Sequence, residues 1–561
     1  MIINKRILVI ILTIIFECTI KTFAQSLPDS TIKKIDSLFL KWNTANSPGC
    51  TVGIVRNDSL IFSKGFGMAN LEYNVPNTPT TLYDVGSISK QFTAYCIVLL
   101  AQQHKLNLDN DVRKYINWLA VKDKITIRNL LNHTSGIREY FQLLAIVGKS
   151  ADDAFTRQLA IHILSKQQTL NNKPGEKFLY SNSNYVLLAE IIKKISDKML
   201  RQFADSAIFK PLKMSNAYFS DDYTEIQRNR AYSYNHTDSA HYAKAFATDT
   251  DVGPGNLFCN IEDMAKWVAN FFNTSAGNAA AIKILTQKGK LNNGTEISYA
   301  AGINVGNYRG WTMYEHEGES AGFNSCVSIF PERKMGFIVF ANLGSISAAS
   351  KNFAIVDLFF QNRETEPTAI SAVSVDSNAH IIKNIFVQKY IGKYIADDGV
   401  TFEFVLKNKR MYSVQNNDSE LLIKDGKNTF CQTSSPNKKF VFRTTSSGAK
   451  IADECWSKHL RRLYLSNKDF VLSNEKLRTY SGTYYCAELA CIYKISVHNH
   501  QLMLSSNLYD DTPMWFDGND NLFSDFWWMS HLQMTRNKQH KIMGFEVNSN
   551  RVLHLVFTKT K

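Results

Sequence analysis

Residues 85–100 read VGSISKQFTAYCIVLL. Phe92, Cys96, Leu99 and Leu100 recur at the spacing of a helix with a buried face. Yet the stretch opens on Ser87 and carries Lys90 one turn later. On a helix these two side chains are neighbours. A serine hydroxyl is a weak nucleophile until a base takes its proton. A lysine can be that base once burial disfavours its charged form. The start of an apolar helix provides the burial, and its backbone N–H groups favour developing negative charge. The stretch therefore reads as a mounted nucleophile, with an α/β fold built around its helix.

Working outward, residues 30–361 alternate strand and helix patterns. CTVGIVRNDSLIFSKGFGMANLE (50–72) reads as two strands around the turn RNDS. ITIRNLLNHTSGI (125–137) reads as a short capped helix ending at Gly136. SNSNYVLLAEIIKKIS (181–196) and NIEDMAKWVANFF (260–272) read as amphipathic helices. SCVSIFPERKMGFIVFANL (325–343) reads as a hairpin turning at residues 331–334. Strands at both ends with helices between them imply a sandwich in which N- and C-terminal strands share one sheet.

Residues 363–380 lose the periodicity and read as a linker. Beyond them, short alternating strands predict all-β structure. YIGKY (390–394) recurs as YSGTY (480–484), 90 positions on. This predicts two related β units, 381–470 and 471–561, each a small barrel.

The S-x-x-K spacing alone is weak. It also occurs at Ser30/Lys33, Ser435/Lys438, Ser447/Lys450 and Ser473/Lys476, which read as surface coincidences. Two partner motifs separate Ser87. YSN places Tyr180 and Asn182 just before a helix. A tyrosine beside the lysine can share the proton traffic, and an asparagine can bind a substrate amide. HEG places His316 and Gly318 at a strand. Glycine there lets a substrate carbonyl lie against the backbone, with the N–H groups of Glu319 and Ser87 as an oxyanion hole.

The trio resembles the serine β-lactamase and penicillin-binding protein superfamily, especially its class C β-lactamase, D-aminopeptidase and esterase branch. The resemblance extends over residues 30–361, in the correct motif order. It implies a β-lactamase/transpeptidase-like fold, an antiparallel sheet with helices. It further implies acylation of Ser87, with Lys90 and Tyr180 handling its proton, Asn182 contacting substrate and His316 replacing the lysine of K-T-G. A histidine near neutral pH is only partly charged. It should hold a substrate carboxylate less firmly than lysine does. The resemblance thus favours a peptidase of D-amino acid type or an esterase over an efficient β-lactamase. The trailing β units resemble the lipocalin-like barrels attached to some D-aminopeptidase relatives.

Other features bound the function. The formal net charge is +14, but its basic runs are short and mixed, which argues against nucleic acid as a partner. Residues 1–24 form a basic leader, an apolar run and a small-residue cleavage site, read as a signal peptide. The chain is thus expected to be exported, periplasmic or extracellular, with a retained membrane anchor as the alternative. No later stretch is long and apolar enough to span. Cys486/Cys491 and Cys431/Cys455 are possible disulfide pairs, and sequence leaves them open. GESAG (318–322) matches G-x-S-x-G, making Ser320 a rival nucleophile, but a strand rather than a helix is expected after it. His316 and Glu317 do not extend to H-E-x-x-H, so no metal and no cofactor are expected. His133 reads as a structural hydrogen-bonding residue, and the tryptophans of FWWM (526–529) as barrel core. The competing function is a binding or sensor module that turns over little. A small-molecule or peptide ligand suits either, and the oligomeric state stays open.

Overall fold

The computed structural model describes residues 27–360 and 388–560, except 151–152, 239–240, 247, 397–400, 409, 416–417, 427, 433–437, 445–449, 457–458, 466–472 and 517–519. The expected signal peptide and linker lie outside the described residues. The chain divides into two compact units.

The first unit combines residues 1–106, 192–289 and 296–365. Its centre is a six-stranded antiparallel sheet in the order 304–308, 311–320, 323–330, 335–341, 50–56, 59–66. The expected sharing of one sheet by N- and C-terminal strands is what the register shows: Cys50 pairs with Ala341 and Arg56 with Met335. The central strands are apolar on both faces because both faces are covered. Val52, Ile54, Phe337 and Val339 pack against Ile35, Phe39 and Ile355. Gly53 and Gly336 open the other face. A Cβ on Gly53 would lie 2.4 Å from Ile261, and one on Gly336 would lie 2.3 Å from Val268. Both neighbours belong to the helix Ile261–Asn273, capped by Asn260, whose side chain accepts from the Asp263 N–H. The hairpin turn falls at Pro331–Arg333, as its sequence implies.

The second unit combines residues 107–191, 290–295 and 366–561. It holds short helices and two closed antiparallel barrels of eight strands each. The first runs from Gly392–Ala396 to His459–Leu465. The second runs from Gly482–Cys486 to Val552–Lys559. The repeat explains itself at their entrances. Tyr390 and Tyr480 are buried, Gly392 and Gly482 take φ of 139° and 154°, and Tyr394 and Tyr484 are buried in turn. Only glycine adopts such φ values without strain. Cys486 and Cys491 are register partners, and all described cysteines are thiols.

The second barrel docks on the helix Tyr140–Ile146 and the loop before it. Tyr493 and Tyr509 donate to the Ile146 and Ala145 carbonyls. Trp528 corrects the sequence reading. It lies outside the barrel core, stacked on Phe526 and Tyr509, and its carbonyl accepts from Gln142. Trp527 is exposed. Arg138 anchors this docking. Its buried guanidinium pairs with Glu488 at 2.9 Å and donates to the carbonyls of Leu553, His554 and Thr169. Arg138→Met is expected to destabilise the unit by about 3–5 kcal/mol, the cost of leaving a buried carboxylate and carbonyls without their cation. Urea unfolding, with hydrogen exchange over residues 482–559, checks this. An unchanged midpoint would remove the anchor role.

Candidate active site

The first unit brings Ser87, Lys90, His316, Gly318 and Glu319 together. Residues 86–88 form a single 3₁₀ turn, and the α-helix Ser89–Gln102 follows. Ser87 therefore sits one turn before the regular helix, half-buried. Lys90 is fully buried. Its Nζ lies 2.9 Å from Ser87 Oγ and donates to the Pro254 carbonyl at 2.7 Å. An amine held this way is positioned to take the hydroxyl proton once it is neutral.

Strand Trp311–Ser320 runs past this turn in close backbone contact. Gly86 has φ of 52°, and a Cβ there would lie 2.6 Å from the Glu319 nitrogen. A Cβ on Gly318 would lie 2.0 Å from the Val85 oxygen and 3.0 Å from the Ser87 nitrogen. The N–H groups of Ser87 and Glu319 thus flank one glycine-lined approach. Asp84 fixes it from behind. One carboxylate oxygen accepts from Gly86 N–H at 2.9 Å and the other from Ser320 Oγ at 2.6 Å. Burial raises the Asp84 pKa. Ser320 ends its strand, and the next strand begins at Phe323. No helix follows it, so the elbow geometry is not formed, and its hydroxyl ties the strand to the Ser87 turn.

His316 is buried. Its Nδ1–H donates to the Glu317 carbonyl, and its Nε2 accepts from Tyr299 at 2.9 Å. Burial, then the charge of Lys90, lower its pKa to about 3. Burial and the Lys90 charge thus favour the neutral imidazole over the partly charged one expected from sequence. It contributes no cation for a carboxylate, and no activity transition between pH 5 and 8 is expected from it.

The neighbouring Glu315 is the opposite case. Burial, then Glu317, raise its pKa to about 7, and one of its buried oxygens has no hydrogen-bond partner. Below pH 4.5 it is neutral folded and unfolded. As pH rises from 4.5 to 7 the unfolded chain loses this proton and the folded chain keeps it, so stability falls. Above pH 7 the loss is complete, about 3 kcal/mol at most. Glu315→Gln is therefore expected to gain stability relative to wild type on going from pH 4.5 to 8. Urea midpoints measure the difference, and a pH-independent one would refute it.

The second unit places Tyr180 and Asn182 in the loop before the helix Ser183–Ser196. Sequence reasoning named both but missed what holds them. His133 Nδ1 accepts from the Ser181 N–H at 3.2 Å and contacts Asn184 at 3.0 Å. Its ring stacks between Tyr180 and Tyr185, at 4.2 and 5.1 Å. This agrees with a structural role. Buried Glu139 accepts from the Asn182 N–H at 2.6 Å. No motif marks Glu139, Asp84 or Pro254, so no pattern could have found them.

A cavity of about 430 Å³ in the first unit is lined by Tyr223, Arg230, Tyr232, Lys244, Phe246 and Phe323, among others. Its lining includes none of Ser87, Lys90, His316 or Gly318, but Phe323 pairs with Ser320 across the two strands, and Ser233 Oγ accepts from the Gly322 N–H at 3.3 Å. Among the described residues no group of His, Cys, Asp and Glu side chains is arranged to hold a metal ion. None of the described helices is long and apolar enough to cross a membrane.

Fold and serine–lysine arrangement together define the class of serine β-lactamases and penicillin-binding proteins. Residues 32–358 match the beta-lactamase family, and the chain belongs to it. It is 28% identical over 313 residues to protein flp of Staphylococcus aureus (strain MRSA252), covering 53% of this chain and 60% of that protein. It is 29% identical over 241 residues to the teichoic acid D-alanine hydrolase of the same strain, covering 43% and 57%. The chain thus spans about three fifths of the length of these curated relatives. Among solved structures, it is similar to the octameric penicillin-binding protein homologue from Pyrococcus abyssi. The TM-score is 0.55 at 24% identity, with 77% of this chain and 99% of that one covered. FmtA from Staphylococcus aureus gives a TM-score of 0.52 at 22% identity, with 61% and 93% covered. These two likenesses concern the fold.

Proposed function

We propose that the chain is an exported serine hydrolase that forms an acyl-enzyme on Ser87, acting on D-amino acyl esters or small peptides. The observation that carries this reading is the Ser87 Oγ to Lys90 Nζ contact of 2.9 Å, with the amine buried. Lys90 takes the Ser87 proton as Oγ attacks the substrate carbonyl. The N–H groups of Ser87 and Glu319 receive the charge that develops on the carbonyl oxygen. The proton then passes to the leaving group, with Tyr180 as the second proton carrier. Water attacks the acyl-enzyme and regenerates Ser87. Asn182 binds a polar group of the substrate, and neutral His316 lines the site without attracting a carboxylate.

Preference for esters over β-lactams follows from that neutral histidine. The relative named teichoic acid D-alanine hydrolase supports a D-alanyl acyl group. Export rests on the leader in residues 1–24. The test is turnover of p-nitrophenyl acetate and a D-alanyl ester by wild type and Ser87→Ala. Wild type should hydrolyse the D-alanyl ester faster than benzylpenicillin, and Ser87→Ala neither. Equal rates in wild type and Ser87→Ala would refute the proposal.

A further inference from the structure

We propose that the cavity of about 430 Å³ in the first unit is a binding site for a small organic anion, with Arg230 taking a carboxylate or phosphate and the surrounding rings taking an aromatic body. The proposal concerns binding and needs no turnover at Ser87, so it stands or fails apart from the hydrolase reading.

A volume of this size suits a small molecule. Every residue that lines the cavity belongs to the first unit. It begins where the strand carrying Gly318 and Glu319 ends, since Phe323 is the register partner of Ser320. Another wall comes from the hairpin of strands Ser233–His236 and Tyr242–Ala245, where Ser233 Oγ donates to the Ala245 carbonyl at 2.7 Å. The lining is apolar but open to solvent. Ile226 is 91% and Phe246 68% exposed, and Tyr223 and Tyr232 are exposed as well. Large apolar side chains gathered around one opening mark a binding surface.

The charge of the cavity has one sign. Its described lining holds two cations, Arg230 and Lys244, and no carboxylate. Lys244 pairs with Glu72 at 2.7 Å. Arg230 is held differently. Its backbone is fixed on both sides, since the Leu82 N–H donates to the Asn229 carbonyl and the Ala231 N–H to the Leu82 carbonyl, each at 2.9 Å. Its guanidinium carbon stands 4.3 Å from the centre of the buried Phe258 ring. Among the described residues no hydrogen bond and no ion pair engages this guanidinium. The buried Asp84 carboxyl feels its charge, but the Asp84 oxygens accept from the Gly86 N–H and Ser320 Oγ. Arg201 shows the contrast. It stands over the Tyr218 ring, which stacks on Phe258, and it pairs with Glu225 at 2.6 Å and Asp221 at 3.0 Å. A guanidinium stacked on a ring keeps its N–H edges free, and those edges match the paired oxygens of a carboxylate or phosphate.

The test is calorimetric titration of the full chain with phenylacetate, phenyl phosphate, benzyl alcohol and acetate. Wild type should bind at least one aromatic anion about 10-fold or more tighter than benzyl alcohol, the effect of one charge-assisted hydrogen bond. The tighter anion tells carboxylate from phosphate. Acetate should bind about 10-fold or more weaker than phenylacetate, because it leaves the rings uncovered. Arg230→Met should bring the anion-to-alcohol ratio close to one, and Arg230→Lys should restore part of it. Phe246→Ala, at an exposed position, should weaken phenylacetate and benzyl alcohol alike by about 3-fold or more and leave their ratio unchanged. An anion preference that persists in Arg230→Met, or affinities unmoved by Phe246→Ala, would place binding elsewhere and overturn the proposal. So would equal wild-type affinity for the anions and benzyl alcohol, or no binding of any of them. If Arg230→Met fails to fold, wild type and Phe246→Ala still decide.

Discussion

Replacing Lys90 by methionine is expected to lower kcat/KM by about 10³-fold or more, the range of a general base acting on its nucleophile. Methionine matches the lysine stem and removes the amine that touches Ser87 Oγ and the Pro254 carbonyl. Ser87 then keeps its proton at neutral pH. Acylation should suffer most, so reaction with a fluorophosphonate should slow in parallel with ester turnover. Stability should move the other way or not at all. A buried ammonium has a desolvation cost that methionine lacks, and such replacements are often neutral or stabilising. A loss of activity together with a large drop in Tm would mean that Lys90 acts through the fold. Normal activity in Lys90→Met would remove the proposed base.

Gly318→Val carries the second large effect. Any Cβ at this position lands 2.0 Å from the Val85 oxygen, 2.6 Å from Ser325 Oγ and 3.0 Å from the Ser87 nitrogen. The Val85 oxygen is backbone and cannot step aside alone, so the strand and the Ser87 turn must separate. Their separation pulls the Ser87 and Glu319 N–H groups apart. Loss of one oxyanion donor costs about 10²–10³ in kcat, and the variant should lose at least that. The added bulk should also cost about 1–3 kcal/mol of stability. Gly318→Ala should give the same effects in smaller measure. A variant with wild-type kcat would show that the glycine serves packing only.

Much of this was legible because local rules dominate where the chemistry begins. A hydroxyl and a cation one helical turn apart, followed by an apolar run, leave few other readings for residues 85–100. The hairpin at residues 331–334 and the pairing of first and last strands follow from alternation and length. The barrel entrances showed in a tyrosine–glycine–tyrosine repeat. The supports of the site were not legible. Glu139 under Asn182 and Asp84 under the Ser87 turn are single polar residues whose partners come from the tertiary fold. In the second unit, Gln142 and the Trp528 carbonyl it donates to lie 386 positions apart, and no periodicity connects them. FWWM was misread for a related reason. Its hydrophobicity announced burial, but Trp528 packs beside the docked helix rather than inside the barrel. The histidine of HEG carried a residue type and no environment, so its neutrality emerged only with Tyr299, Lys90 and burial around it.

The central claim is that Ser87 becomes acylated. Intact-protein mass spectrometry, with peptide mapping after brief exposure to a fluorophosphonate and to a D-alanyl ester, tests it most directly. A single adduct on the peptide that contains Ser87, absent from Ser87→Ala and slowed in Lys90→Met, is the predicted result. An adduct on another residue such as Ser320, or none with either reagent, would contradict it.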